Sequence, residues 1–175
     1  MKPLSEFIRN IPDFPKPGVI FRDLTTLIEN PEGYRRAVEL ITDAVGQWGT
    51  VDKIAAPEAR GFIFAAPVAL NLNAGLVPVR KPGKLPYQTY GIDYELEYGT
   101  NRLEIHQDAI QPGDRVVLID DLLATGGTID ACRKLVENCG AKVVGAAFVV
   151  ELVDLKGREK LGDLPIFAPV QFEGE

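Results

Sequence analysis

Residues 116–128 read VVLIDDLLATGGT. Four apolar residues, Val116 to Ile119, read as a buried strand. Two acids, Asp120 and Asp121, stand at its carboxyl end. A short loop, Ala124 to Thr128, then leads into a helical pattern. In open α/β sheets ligands bind beyond the carboxyl ends of the strands. The free amides and the dipole at a helix start make an anion site there. Gly126 and Gly127 let the backbone approach a phosphate closely, and Thr125 and Thr128 add hydroxyl donors.

Two better-known phosphate motifs are missing. The nucleoside-triphosphate loop requires Gly-Lys-Ser/Thr, and this loop has no lysine. The dinucleotide fingerprint GxGxxG occurs nowhere in the chain. The acid pair also argues against a polyphosphate at this point, since it would repel one. Ionised carboxylates accept hydrogen bonds strongly, which suits a ligand whose next atoms are hydroxyls. A monophosphate attached to a diol, as in ribose 5-phosphate, meets both demands. The bland alternative makes Asp120 a turn residue and Asp121 a helix-side cap.

The rest of the chain frames this string. Its 175 residues suffice for one domain, 1–175, with a core needing no disulfide or metal. Nineteen basic against 25 acidic residues give a net charge of −6, which argues against a nucleic-acid or anionic-membrane coat. No apolar run approaches the roughly 20 residues of a membrane helix. The start, MKPLSEFIRN, has neither a secretory apolar core nor the character of a transit peptide. Cys132 and Cys139 lie roughly 10 Å apart along one helix, too far for a disulfide, and lack zinc-type partners. A reducing cytoplasm is the simple expectation, with both as helix packing or surface residues.

Asn30-Pro31 predicts a helix start, with Asn30 as N-cap and the helix running through Trp48. Strands are expected at 52–57, 75–80, 101–106, 115–120 and 142–152. Helices are expected over 62–72, weakened by Pro67, and over 128–140, closed by Gly140. This alternation predicts an α/β domain around a mainly parallel sheet flanked by helices. The proline-rich stretch 11–23 reads as irregular. Residues 81–100 hold three glycines, two prolines and four tyrosines. That is long for a compact connection and points to a lid or a protruding hairpin.

The 116–128 string resembles the phosphoribosyl pyrophosphate signature of the type I phosphoribosyltransferases. Six further segments resemble adenine-using members of that family: FPKPGVIFRDLT (14–25), PEARGF (57–62), RKPGKLP (80–86), YELEYG (94–99), LEIHQDAI (103–110) and VELVDLKGREKL (150–161). They run in order along almost the whole chain. One departure is local: Glu58-Ala59 stands where some members carry an Asp-Ser pair.

The resemblance implies the family fold, with an N-terminal hood at about 1–30 and a flexible lid at about 81–100. It implies purine salvage: adenine and phosphoribosyl pyrophosphate give AMP and pyrophosphate. The 5-phosphate goes to Ala124, Thr125, Gly126, Gly127 and Thr128, and the diol to Asp120 and Asp121. The field of these acids favours positive charge developing on the ribose. Pyrophosphate falls to the Glu58-Ala59 backbone, whose peptide is a candidate cis bond, and to Arg60, Arg80, Lys81, Lys84 and Tyr98. Arg80 is the candidate to serve a neighbouring subunit of a homodimer. Adenine meets Ile20, Phe21 and Arg22, read partly through backbone groups. Glu97 on the lid matches the family's catalytic acid or base. Magnesium is held mainly by substrate and water, so no protein cage of carboxylates is expected. His106 reads as structural or surface. Alternatives are a transferase for xanthine or hypoxanthine, a non-catalytic regulatory domain of the same fold, and a pure nucleotide-binding module.

Overall fold

Asn30 caps its helix as expected: its side chain accepts from the amides of Glu32 and Gly33, both at 3.0 Å. The computed structural model describes residues 2–95 and 99–174. A 3-10 turn (Leu4–Phe7) leads into a hairpin of β1 (Arg9–Pro12) and β2 (Ile20–Asp23), then α1 (Thr25–Glu29) and α2 (Pro31–Gly46). Next come β3 (Lys53–Pro57), α3 (Arg60–Asn71) and β4 (Gly75–Val79), followed by β5 (Thr89–Glu95) and β6 (Thr100–His106). The second half holds β7 (Arg115–Ile119), β8 (Leu122–Leu123), α4 (Gly127–Asn138), β9 (Lys142–Ala147) and β10 (Val150–Leu152). A 3-10 segment (Gly157–Leu161) precedes β11 (Ile166–Phe167) and β12 (Val170–Phe172).

The main sheet has the order β11-β9-β7-β3-β4 and every pairing in it is parallel. The strand 116–119 lies at its centre, and its side chains alternate between two cores. Val117 and Ile119 pack with α2 and α3 residues such as Ile41, Phe64 and Val68. Val116 and Leu118 pack with α4 and β6 residues such as Leu135, Cys132 and Ile105. Both faces are covered by helices, which is why the strand reads as an unbroken apolar run. Both cysteines are buried and free, so neither is a surface residue. Burial raises both thiol pKa values, and the charge of Asp120 adds to the effect on Cys132.

Three expectations are corrected. The run 142–152 is two strands, because the chain leaves the main sheet after Ala147. It re-enters as β10 in a second parallel sheet of order β12-β10-β8. Both halves are buried, so hydropathy alone shows no break. The stretch 11–23 is not wholly irregular: its ends belong to β1 and β2. The helix expected through Trp48 ends at Gly46. Trp48 lies so close over Gly145 that a Cβ there would meet its ring at 2.3 Å.

Pro67 sits inside α3 without ending it. A helical proline leaves the carbonyl four residues earlier without its usual donor. Here that carbonyl belongs to Ile63, and the Tyr34 hydroxyl donates to it at 2.6 Å. Among the described residues, no helix is long and apolar enough to cross a membrane.

Candidate functional site

The acid pair stands where the central strand ends. Asp120 keeps its amide on the Ala147 carbonyl at 3.1 Å, so it is still in register with β9. The Asp121 carbonyl accepts from both Val149 and Val150, each at 3.1 Å, which locks the pair to the point where the chain changes sheets. Burial raises the pKa of the Asp120 carboxyl well above the ordinary value, and the neighbouring Asp121 charge raises it further. Burial also raises Asp121, and Arg60 partly offsets this, its Nε lying 2.8 Å from Asp121 Oδ2. Two acids held in one desolvated place are poised to take hydrogen bonds from hydroxyls or to face a positive centre.

Immediately beyond them lies the loop before α4. Gly126 adopts φ +81°, which a side chain would strain. The opening amides of α4 have no intrahelical acceptors, and no side chain caps them. A cleft of about 80 Å³ is lined by Asp120 and by Leu122 through Ile129, with Phe148. All five residues expected to bind the 5-phosphate therefore line one small cavity with Asp120. Gly126→Ala should weaken ribose 5-phosphate binding at least tenfold, read by calorimetry, since the hole must distort to admit a Cβ. That Cβ would lie 2.6 Å from the Gly157 carbonyl oxygen. Unchanged binding would show that the loop is not the cradle.

The start of α3 meets the same acids from the neighbouring strand. A Cβ on Gly61 would lie 3.0 Å from Asp120 Oδ1 and 3.2 Å from the Ile119 carbonyl. Glycine here lets the helix approach closely and carries Arg60 onto Asp121. The Glu58-Ala59 peptide is cis, at the junction of β3 and α3. Glu58 accepts from the Lys81 amide at 2.8 Å and from Arg80 Nε at 3.2 Å, and its pKa falls. The backbone bond from Lys81 is the largest cause. Glu58 thus ties the 80–81 segment to the 58–60 loop, and Arg80 is bound to an acid of its own chain. Lys84 is exposed and lies on the same connection.

The hood residues occupy β2. Phe21 packs edge-on against Phe14, with centroids 5.2 Å apart. Arg22 is buried, stacks over Phe172 at 4.1 Å and donates to Asn10 at 2.8 Å. Phe172 ends β12, which reaches β8 through β10, and β8 runs into the phosphate loop. The second sheet therefore links the hood to the acid pair. Asp23, held by Thr25 and by Arg9, has a pKa lowered to about 2 and fixes the end of β2.

A phosphoribosyl transferase domain model matches residues 23–164. The adenine phosphoribosyltransferase of Fervidobacterium nodosum is 55% identical over 97% of this chain and 99% of its own length. The chain belongs to the adenine phosphoribosyltransferase family. The solved adenine phosphoribosyltransferase of Thermoanaerobacter pseudethanolicus is 50% identical, covers 97% of this chain and 98% of its own, and superposes with a TM-score of 0.91. That of Saccharomyces cerevisiae, complexed with an iminoaltritol bisphosphate and adenine, is 37% identical, covers 95% and 96%, and has a TM-score of 0.90.

Against this adenine phosphoribosyltransferase frame the expected lid divides. Residues 89–95 are a strand, paired in register with β6 from Thr89↔His106 to Glu95↔Thr100. The hairpin is anchored by buried Leu103 and Ile105, and a bridge between Arg80 and Glu104 joins it to the sheet edge. Tyr94 brings it against α4, its hydroxyl 3.5 Å from Thr128 Oγ1. Glu97 and Tyr98 lie outside the described residues. His106 accepts from the Tyr87 amide at 3.3 Å, a structural role. The sequence reading missed Gly157 and Lys160. A Cβ on Gly157 would lie 2.3 Å from the Ala124 carbonyl, and Lys160 Nζ is 3.8 Å from the place a Cβ on Gly127 would take. Both lie some thirty residues beyond the loop they touch, and no local pattern announces such a contact.

Proposed function

We propose that this chain transfers the 5-phosphoribosyl group of phosphoribosyl pyrophosphate to adenine in purine salvage, giving AMP and pyrophosphate. The observation that carries the reading is Asp120, lining one cleft with the uncapped start of α4, beside the buried Asp121. Few ligands need an anion hole and two hydroxyl-accepting carboxylates side by side, and a ribose 5-phosphate does.

In this reading the amides of Gly126 to Thr128 and the threonine hydroxyls hold the 5-phosphate. Asp120 and Asp121 accept from the ribose hydroxyls and favour the positive charge that gathers at C1 as its bond to pyrophosphate lengthens. The 58–60 backbone, Arg60, Arg80, Lys81, Lys84 and Tyr98 receive the departing pyrophosphate. Adenine N9 then bonds to C1, the C1–O bond electrons leave with pyrophosphate, and the N9 proton passes to Glu97. Ile20, Phe21 and Arg22 place the base.

Magnesium fits this donor set as a substrate-borne ion. In this reading the acid pair acts on hydroxyls, while substrate and water supply most of the ion's ligands. Bound with the substrate, the ion neutralises pyrophosphate charge and improves it as a leaving group. The reading extends to a homodimer in a reducing cytoplasm, where the buried thiols of Cys132 and Cys139 stay free.

The test is AMP formation from adenine, phosphoribosyl pyrophosphate and magnesium, followed by chromatography with pyrophosphate measured in parallel. Equal amounts of both products are expected. Binding of the substrates with no turnover would leave a regulatory domain.

A further inference from the structure

The acid Glu151 lies on β10 directly beside Leu123, the last strand residue before the phosphate loop. It is only 4% exposed, too buried to be left unpaired. Arg158 meets it with two parallel bonds, Nε to Oε1 at 2.6 Å and Nη2 to Oε2 at 2.7 Å. Gln171 on β12 donates to Oε2 at 3.0 Å. Arg158 also donates to the Ile166 carbonyl at 3.3 Å. Burial alone would raise the Glu151 pKa, but these bonds outweigh it and hold the carboxyl below its ordinary range.

The residue before Arg158 is Gly157, whose backbone presses on the phosphate loop. A Cβ on Gly157 would lie 2.3 Å from the Ala124 carbonyl and 2.9 Å from a Leu123 methyl. In the reverse direction, a Cβ on Gly126 would lie 2.6 Å from the Gly157 carbonyl. Two glycines therefore meet backbone to backbone. Neither surface yields as a flexible side chain would, so the position of Gly157 limits where Ala124 to Gly126 can lie.

We infer that the Glu151–Arg158 pair is a positioning device for the 5-phosphate cradle, holding Gly157 against the loop from behind. The inference rests on the reading of residues 124–128 as that cradle. The bidentate geometry suits the task, because it fixes direction as well as distance. An ammonium at 158 would keep the charge and lose the fork. The cost would then fall on the group the loop binds. Pyrophosphate, received by the 58–60 loop and the 80–84 connection, should be spared.

The experiment is titration of the full chain with ribose 5-phosphate and, separately, with pyrophosphate and magnesium, for the wild type, Arg158→Lys and Gly126→Ala. In Arg158→Lys, ribose 5-phosphate binding should weaken about tenfold while pyrophosphate binding stays within twofold. In turnover, KM for phosphoribosyl pyrophosphate should rise more than kcat falls. Gln171→Leu removes one of the bonds to Glu151 and should move the same ratio in the same direction by about threefold. It keeps the question open to measurement if Arg158→Lys fails to fold. Equal weakening toward both ligands would mark a merely structural pair and overturn the inference. So would wild-type ribose 5-phosphate binding in folded Arg158→Lys while Gly126→Ala is impaired, and that result leaves the cradle standing. A wild type that does not bind ribose 5-phosphate overturns both readings.

Discussion

Asp120→Asn should lower kcat by about a hundredfold or more and at the same time raise the melting temperature above neutral pH. The two effects have one cause. Burial and the adjacent Asp121 charge put the Asp120 pKa well above its ordinary value, so the folded protein holds a proton there more readily than the unfolded chain. Stability falls with rising pH wherever the folded state binds more protons. Asp120 therefore costs stability as pH rises through its folded pKa. That cost fades as pH falls toward the ordinary carboxylate value of about 4. Activity runs the other way, because the charged form accepts from the ribose hydroxyls and faces the cationic sugar. Asparagine keeps the shape, and its carbonyl oxygen can still accept from the Asp121 amide, a bond of 2.8 Å in the wild type. Thermal scans from pH 5 to 9 should show the variant losing less stability than the wild type as pH rises. Asp121→Asn should share the kinetic loss with a smaller gain in stability, since the Arg60 guanidinium already compensates part of its burial. Wild-type turnover in both variants would remove the acids from the chemistry. A lower melting temperature for Asp120→Asn at high pH would contradict the burial argument.

That trade of stability for charge explains why residues 116–128 were the most legible part of the chain. Two acids after four apolar residues contradict simple core patterning, and such contradictions gather at functional sites. The parallel sheet followed from alternation of apolar runs and helical periods, and the Asn30 cap from a local hydrogen-bond rule. What stayed hidden depends on long-range placement. The split of 142–152 into β9 and β10 leaves no hydropathic trace, because both sheets bury their strands. The contact of Gly157 with Gly126 joins segments about thirty residues apart, and each glycine alone reads as a turn. Residues 81–100 looked loosely held because glycine and tyrosine dominate them. Seven of the twenty residues, Thr89–Glu95, pair with β6 as the hairpin alternative has it, and the inward Leu103 and Ile105 of β6 supply the anchorage.

With each purine supplied in turn, kcat/KM for adenine should exceed that for hypoxanthine, guanine or xanthine by about 10⁴. The argument starts from β2. It belongs to a two-stranded sheet whose one partner is β1, so alternate amides and carbonyls along its other edge have no ladder partner in that sheet. A neighbouring N–H and C=O there match the acceptor and donor that adenine presents side by side. A 6-oxo-purine puts an acceptor where adenine has its amino donor and carries a proton on N1, so it would leave buried polar groups facing their like. Such a site discriminates far better than an apolar pocket, because the wrong base loses a bond and also leaves protein groups unpaired. The edge must also be rigid for the mismatch to be costly. Three contacts make it so: Arg9 and Thr25 on Asp23, Arg22 stacked on Phe172, and Phe14 edge-on to Phe21. Phe172→Ala removes the stacking platform for Arg22 without touching the strand edge itself. It should narrow the preference for adenine by several-fold while leaving ribose 5-phosphate affinity unchanged. Comparable kcat/KM values for adenine and any oxo-purine in the wild type would sink the backbone reading of the base. They would leave intact the transfer chemistry at Asp120 and Asp121, because the sugar phosphate is held by a different sheet end from the one that reads the purine.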